Sequence, residues 1–459
     1  MMDRKHIAEF RSLIGDPSRV ILNPQTVEQL SRDFYWYSPV LRKQLDGKIG
    51  DVVVQPISAA EIQGILRYCY ANNIAVTARG AGTGNYGQAV PLEGGVVLDL
   101  ARMDRIEKIQ EDGVAVCQPG VRLGDLETEG RKSGWELRCY PSTIIKASVG
   151  GFLGGGSGGI GTVAHGGLRD FQTVRAIEVV TMEPEPRVVL HEGEAVHEIL
   201  HAWGTNGIIT RIWLALTPAV EWSQCVVAFE TFDAAFDFSE KVAVAPEWTK
   251  RLVTVFEWPI PSFFTPILQY APKGNTLIFF MIASSQLAAL ETAARDAEGT
   301  VTHSGVYPGL NARPLLSDYT WNHTTLWAMR ADDSYTYLQC GFNPDTAREQ
   351  MRLLRERFGM EFLFHMEFMK SGEGRVFPGA IPVVYYTTEE RLNDMIDFCR
   401  KIGVWVANPH VNNVEGGGRY RPDNVQLLAK FRYDPKGLLN PGKMVTFHSE
   451  SATAGATTK

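Results

Sequence analysis

The run Arg79-Gly80-Ala81-Gly82-Thr83-Gly84-Asn85 has the composition of an anion-binding turn. Glycine has no Cβ, so main-chain N–H groups there can close on an anion, and the adjoining arginine adds charge suited to a phosphate. Two familiar nucleotide motifs do not account for the run. Counted from Gly82, the G-x-G-x-x-G pattern is met by Gly84 and Gly87, but the residues that would have to form the following helix include Pro91 and Gly94-Gly95. A P-loop fails because no glycine-lysine-Ser/Thr follows. Taken by itself, the run fits a phosphate-binding turn or an ordinary strand-to-loop turn.

A second stretch, Gly150 to Gly161, has eight glycines in twelve residues, with Phe152, Leu153 and Ile160 interleaved. A solvated linker would not carry those apolar side chains. A loop laid over a flat, polar cofactor explains the mixture better. Pro141-Ser142-Thr143 lies just upstream and offers hydroxyls to the same ligand. Two such loops in one part of the chain suit a long diphosphate cofactor.

The elements that must position these loops are legible on either side. Val52 to Val54 is a short β-branched strand, and Ser58 with Glu61 forms a capping box that opens a helix whose Ile62, Ile65, Leu66 and Cys69 share a face. Ile74 to Ala78 is the next strand, and it delivers the chain into the first glycine loop. Strands are predicted at 96–100, 114–116, 176–181 and 208–216, and helices at 123–133 and 194–201. From about 220 to 405 glycine clusters thin out. There the pattern predicts strands at 226–231, 276–283, 335–340, 361–369 and 383–386, and helices at 232–242, 286–297, 344–358 and 388–402. Strands and helices mixed around one sheet mark an α+β domain. The organisation expected is a helical segment over 1–45, a cofactor domain over 46–220, a substrate domain over 221–405, a return to the cofactor domain over 406–447, and a disordered tail over 448–459.

Composition narrows the class. The chain has 459 residues, 44% hydrophobic and 21% charged, as a folded multi-domain protein should. A net charge of −7 without a basic block argues against a nucleic-acid partner. The six cysteines, at 69, 117, 139, 225, 340 and 399, form no C-x-x-C pair and fit reduced thiols. The start MMDRKHIAEF lacks the apolar stretch of a signal peptide, and the apolar run Thr276 to Ala283 is too short to cross a bilayer as a helix. A soluble, cytoplasmic protein without a membrane partner is expected.

In this order, several landmarks resemble the FAD-binding domain of the vanillyl-alcohol oxidase superfamily, also found in p-cresol methylhydroxylase (PCMH). They are Val54-Gln55-Pro56, Arg79 to Gly84, Gln118-Pro119-Gly120, Pro141-Ser142, Ser148-Val149-Gly150-Gly151, His165 to Asp170, Gly204 to Thr210, and Asp434 to Lys443. The resemblance covers about 50–218 and 406–445, and is specific for FAD rather than for a substrate. It implies an α+β fold in which a two-subdomain PCMH-type FAD-binding domain carries an α+β substrate (cap) domain. It implies that Arg79 to Asn85 wrap the pyrophosphate, that Pro141 to Thr143 and Ser148 to Gly158 (Gly150, Gly151, Gly154 and Ser157 among them) follow the ribityl chain and flavin, that Ile208 and Ile209 meet the cofactor through the backbone, and that Pro119 and Gly207 also belong to the cofactor site. Many relatives link the flavin to a histidine in the first loop, but Gly80 to Gly87 contains none. Others add a cysteine directly before a proline, whereas Tyr140 precedes Pro141 and Cys139 is one place off. Non-covalent FAD is therefore expected, with attachment through a cap-domain histidine the remaining alternative.

Oxidising a C–H bond beside a hydroxyl or amine needs a base for the departing proton, and a carboxylate substrate needs an arginine. Three stretches offer such groups. His323 stands beside Asn322, with Tyr319 four residues back. His410, followed by Arg419, lies where the chain returns to the cofactor domain. His365 and Glu367 would share one face of a strand, and read better as a satisfied structural pair than as metal ligands; no metal site is expected. A core histidine or structural loop is the competing reading for His323 and His410. Arg313 and Arg330 are candidate anion binders, and Trp321, Trp327, Phe364 and Tyr385 candidate aromatic walls. The expected function is FAD-dependent oxidation of a small molecule (an alcohol, a 2-hydroxy acid or a phenol), with oxygen or another electron acceptor and self-association into a homo-oligomer left open. The cap layout is similar to glycolate- and lactate-type members and favours a hydroxyl substrate. The alternatives are an FAD-carrying electron-transfer subunit and a non-redox flavoenzyme.

Overall fold

Short β-branched runs with both faces apolar belong in the interior of a sheet. Val52–Val54, Val96–Asp99 and Val76–Arg79 accordingly form a buried parallel core, with Val96–Asp99 in the middle. In this computed structural model, which describes residues 2–417 and 424–448, a fourth strand, Val20–Ile21, adds antiparallel to Val52–Val54. Residues 1–45 are thus not helical alone. Helix Arg4–Ile14 buries Phe10 and Ile14 on one side of the first sheet, Pro24–Leu30 packs Val27 beside Val53 and Val97 on the other, and Pro39–Leu45 packs Leu41 and Leu45 with Tyr35 and Val90. Helix Ala59–Ala71 starts on Ser58, whose Oγ accepts from the Glu61 N–H at 3.2 Å, and buries Ile62, Ile65, Leu66 and Cys69 against this sheet.

A second sheet, antiparallel, orders Ile106–Ile109, Val114–Cys117, Ile208–Pro218, Val174–Val180 and Val188–Glu192, with Trp135–Leu137 pairing on the far end of Ile208–Pro218. The glycine segment departs from the expected loop. Val149–Gly155 is a short helix capped by Ser148, with Val149, Phe152 and Leu153 buried and Gly154 facing open space. The apolar residues that argued against a linker are what hold this helix down.

The third sheet has eight antiparallel strands: Thr300–Val306, Trp222–Phe229, Thr276–Ala283, Lys250–Phe256, His365–Lys370, Val376–Ala380, Gln339–Gly341 and Trp405–Ala407. Strand alternation splits it into two cores. Val227 and Phe229 face helices Phe232–Val244 and Ala347–Phe358, while Val226 and Ala228 face Phe256, Phe264, Phe279 and Tyr319. The stretch 335–340, expected as one strand, is two: Tyr335–Tyr337 pairs with Val383–Tyr385 and Gln339–Gly341 joins the large sheet. Similarly, 361–369 divides into Phe362–Leu363 and His365–Lys370. Strands Lys250–Phe256 and Thr300–Val306 and helices Asn322–Ala331 and Asn424–Tyr433 carry no clear periodic signal and were not anticipated.

The C-terminal return is tied to the first glycine loop. Asn440 donates from Nδ2 to the carbonyls of Gln88 (2.8 Å) and Trp203 (2.7 Å), and its N–H donates to Val76 O (2.8 Å). The predicted tail, apart from His448, lies outside the described residues. Among the described residues no helix is long and apolar enough to cross a membrane.

Candidate active site

The two glycine segments and the cap enclose one cavity of about 1080 Å³. Every residue from Arg79 to Asn85 lines it, as do Pro119, Pro141, Ser142, Thr143, Ser148, Gly150, Gly151, Gly154, Ser157, Gly158, Gly207 and Ile209. Ile208 does not. Successive side chains on a strand point to opposite faces, and Ile208 turns into the core of the first sheet beside Val180 and Met182.

Strand Val76–Arg79 ends at the loop, and Gly82 takes φ +66°, where a Cβ would stand 2.2 Å from the Arg79 guanidinium. That conformation favours glycine. Ser148 joins the two segments: its Oγ accepts from Ala81 N (3.2 Å) and Gly151 N (3.3 Å). A Cβ on Gly80 would come within 2.3 Å of the same oxygen. The N–H groups of Gly82, Thr83, Gly84 and Asn85 make no hydrogen bond to another described residue. Arg79 donates to Arg32 O at 2.5 Å, and burial lowers its pKa. Bare amides in a concave, glycine-lined wall with a buried guanidinium fit a diphosphate, so the residues present suit FAD.

Several contributors here gave no isolated signal. Asp33 borders the cavity and accepts from Tyr35 N (3.0 Å) and Ala89 N (3.3 Å). Lys443, fully buried, is its electrostatic partner; desolvation raises Asp33 and lowers Lys443, and each charge partly offsets the other's shift. His201 and Trp203 line the floor with φ of +57° and +54°, values uncommon outside glycine. They sit just before the Gly204 to Thr210 motif.

The opposite end belongs to the cap. Helix Asn322–Ala331 brings Asn322, His323, Leu326, Trp327 and Arg330 to the cavity, and Trp321 precedes it. His323 has its pKa lowered to about 4, by burial first and then by Arg330 and Arg313, with a smaller effect from Lys146. All three cations line the cavity. Arg330 lies over the Trp327 ring at 4.7 Å, and Arg313 pairs with Asp318 at 3.0 Å. Four of the candidates at this end lie off the cavity wall. Tyr319 stacks on Trp327 at 5.3 Å and faces the cap core rather than the cavity. His410 is also buried away from the wall, because both ring nitrogens are engaged, Nδ1 with Ser38 Oγ (2.7 Å) and Nε2 with Tyr337 O (2.9 Å). Burial lowers its pKa to about 4. Phe364 sits in the cap core, and Tyr385 packs against Tyr335. Arg419 lies outside the described residues. Cys139 is buried off the cavity, with its thiol pushed up to about 12 by desolvation.

Comparison with known proteins adds chemistry to this geometry. The FAD binding domain family matches residues 50–187. The chain is 30% identical over 475 residues to the mitochondrial D-2-hydroxyglutarate dehydrogenase of Bos taurus, spanning 94% of this chain and 82% of that one. It is 29% identical over 449 residues to the D-lactate dehydrogenase of Archaeoglobus fulgidus, spanning 86% and 91% respectively. Among solved structures, alkyldihydroxyacetonephosphate synthase superposes with a TM-score of 0.71 at 16% identity, covering 96% of this chain and 85% of that chain, a likeness of fold.

Proposed function

The chain belongs to the FAD-linked oxidase superfamily with a PCMH-type FAD-binding domain and is an FAD-dependent oxidoreductase, and from that premise we propose that it oxidises a 2-hydroxy acid. Bound FAD supplies a two-electron acceptor. The chain's own residues divide the remaining work. The free N–H groups of Gly82 to Asn85 hold the diphosphate, and the wall from Ser148 to Gly158 follows the rest of the cofactor. No histidine stands in Gly80 to Gly87 and Cys139 is off the cavity, which favours a cofactor held without a covalent bond over the alternative of a link to the cap histidine His323. Acid precipitation should then leave the yellow colour in the supernatant.

The observation that carries the substrate class is the gathering of Arg330, Arg313 and Lys146 around His323. Arg330 stacks on Trp327 and has no carboxylate partner among the described residues, which leaves its guanidinium free to take a substrate carboxylate. His323, held neutral, orients the substrate by hydrogen bonding and does not carry charge. The relatives named for D-lactate and D-2-hydroxyglutarate point the same way. Anaerobic mixing of holoenzyme with 2-hydroxy acids, neutral alcohols of equal length and phenols tests this reading. The acids should bleach the flavin fastest, and faster bleaching by the neutral donors would refute it.

A further inference from the structure

Strand His365–Lys370 places His365 and Glu367 on one face. Glu367 borders the cavity. Its Oε1 accepts from the Trp321 N–H at 2.8 Å and lies 3.0 Å from His365 Nε2, and its Oε2 accepts from Thr254 Oγ1 at 2.6 Å. The other nitrogen of His365, Nδ1, faces the Ile381 carbonyl at 3.1 Å. A carbonyl only accepts, so Nδ1 carries a hydrogen. An ionised carboxylate also only accepts, so the contact between Nε2 and Oε1 requires a second proton, on one atom or the other. Thr324 does not supply it, because its hydroxyl hydrogen is spent on Tyr319 O at 2.6 Å. The pair therefore holds one shared proton and is electrically neutral, the form in which a buried carboxylate is least costly.

We propose that Glu367, backed by His365, is the group that receives the substrate's hydroxyl proton, an inference that rests on the CH–OH reading above. A carboxylate offers about four acceptor positions, and the three donors around Glu367 among the described residues leave one open on a residue that borders the cavity. Of the acidic residues in that wall among those described, Asp33 is committed at the glycine end beside Lys443, and Asp318 is paired with Arg313. Among the described residues, Glu367 alone stands in the cap wall without an arginine or lysine on it. His323 is a poorer acceptor, since the cations around it oppose an imidazolium. Trp321, whose N–H Glu367 holds, has φ +52°, a strained value for a tryptophan of the kind that persists where the surroundings enforce it. In the step, the substrate O–H bond breaks and its proton goes to Glu367. The C–H bond breaks with its electron pair leaving to the oxidant that the established activity supplies, and a C=O bond forms. The pair passes from one shared proton to two, a carboxylic acid beside an imidazolium.

Two readouts test this. With 15N-histidine-labelled holoenzyme, a strongly deshielded N–H proton from the His365 to Glu367 contact is expected without substrate and should vanish in Glu367→Gln. Its absence from the wild type, or its survival in the variant, would overturn the shared proton. Under anaerobic stopped flow, with whichever CH–OH donor reduces the wild type, Glu367→Gln should slow flavin reduction by about 100-fold or more, with flavin content and ligand affinity unchanged, and Glu367→Asp should recover part of the rate. Infrared difference spectra on reduction should show a new protonated carboxyl in the wild type and in His323→Asn, but not in Glu367→Gln. Equal reduction rates, or a carboxyl signal retained in Glu367→Gln, would sink the proposal. If only neutral alcohols reduce the wild type, the hydroxy-acid reading falls, while the same comparison run with those alcohols still decides the role of Glu367.

Discussion

Whereas the glycine-lined end of the cavity presents main-chain N–H groups from which side chains have been removed, the cap end presents side chains on a helix and on the large sheet. The first can grip any diphosphate, because an amide carries no memory of residue type beyond the absence of a Cβ. The second is set by which cations, aromatics and acids are brought together, and it can change without disturbing the first. The contrast separates holding a cofactor, a property of backbone shape, from choosing a substrate, a property of side-chain placement.

Changes that break one end and spare the other sharpen that contrast. The largest effect is expected from Gly82→Val. The new side chain would meet both a φ of +66° and the Arg79 guanidinium. Flavin retention, read as the ratio of visible to protein absorbance, should be lost, with far-ultraviolet circular dichroism unchanged. Next comes the seam between the two ends, where His410 joins Ser38 to Tyr337. Its pKa falls from 6.5 unfolded to about 4 folded. Between those values the unfolded chain binds the extra proton, so stability is complete above pH 6.5 and declines as the pH falls towards 4. The slope should be about 1.4 kcal/mol per pH unit from this residue, measured by urea unfolding and flattened in His410→Gln. Arg330→Met should weaken binding of an anionic substrate by about 10- to 100-fold, or about 1.4 to 2.7 kcal/mol, with flavin content intact. The smallest effect is expected from Ser148→Ala, which removes a helix cap and the link to Ala81. It should weaken FAD binding by about 1 kcal/mol, measured by flavin fluorescence titration.

Legibility in the sequence follows the same division. The glycine loops could be read because a missing side chain is itself a signal, and because the capping Ser58 and the buried Val52 to Val54 fix the strand that leads into the first loop. Ile208, expected to meet the cofactor through its backbone, turns its side chain into the core, because a motif names a run of residues while a strand turns alternate side chains away. At the cap end, Asn322-His323-Thr324-Thr325 has no helical periodicity, so the helix bearing His323 was invisible and His323 was found by chemistry alone. Tyr319 and His410 look as functional as His323 in sequence. Only packing shows that one lies in an aromatic stack and the other has both nitrogens occupied. The His365 and Glu367 pair was visible as strand spacing, but its link to Trp321 and Thr254 joins residues far apart in the chain and has no local signature.

The central claim, that the cap end selects an anionic hydroxyl donor while the glycine end merely holds FAD, is tested most directly by anaerobic flavin reduction with a D-2-hydroxy acid and with its neutral amide, in wild type and in Arg330→Met. The account predicts that the acid reduces the wild-type flavin at least about 10-fold more efficiently than the amide, and that this preference disappears in the variant while the flavin stays bound. Equal efficiency with acid and amide in the wild type, or an undiminished preference in Arg330→Met, would contradict it.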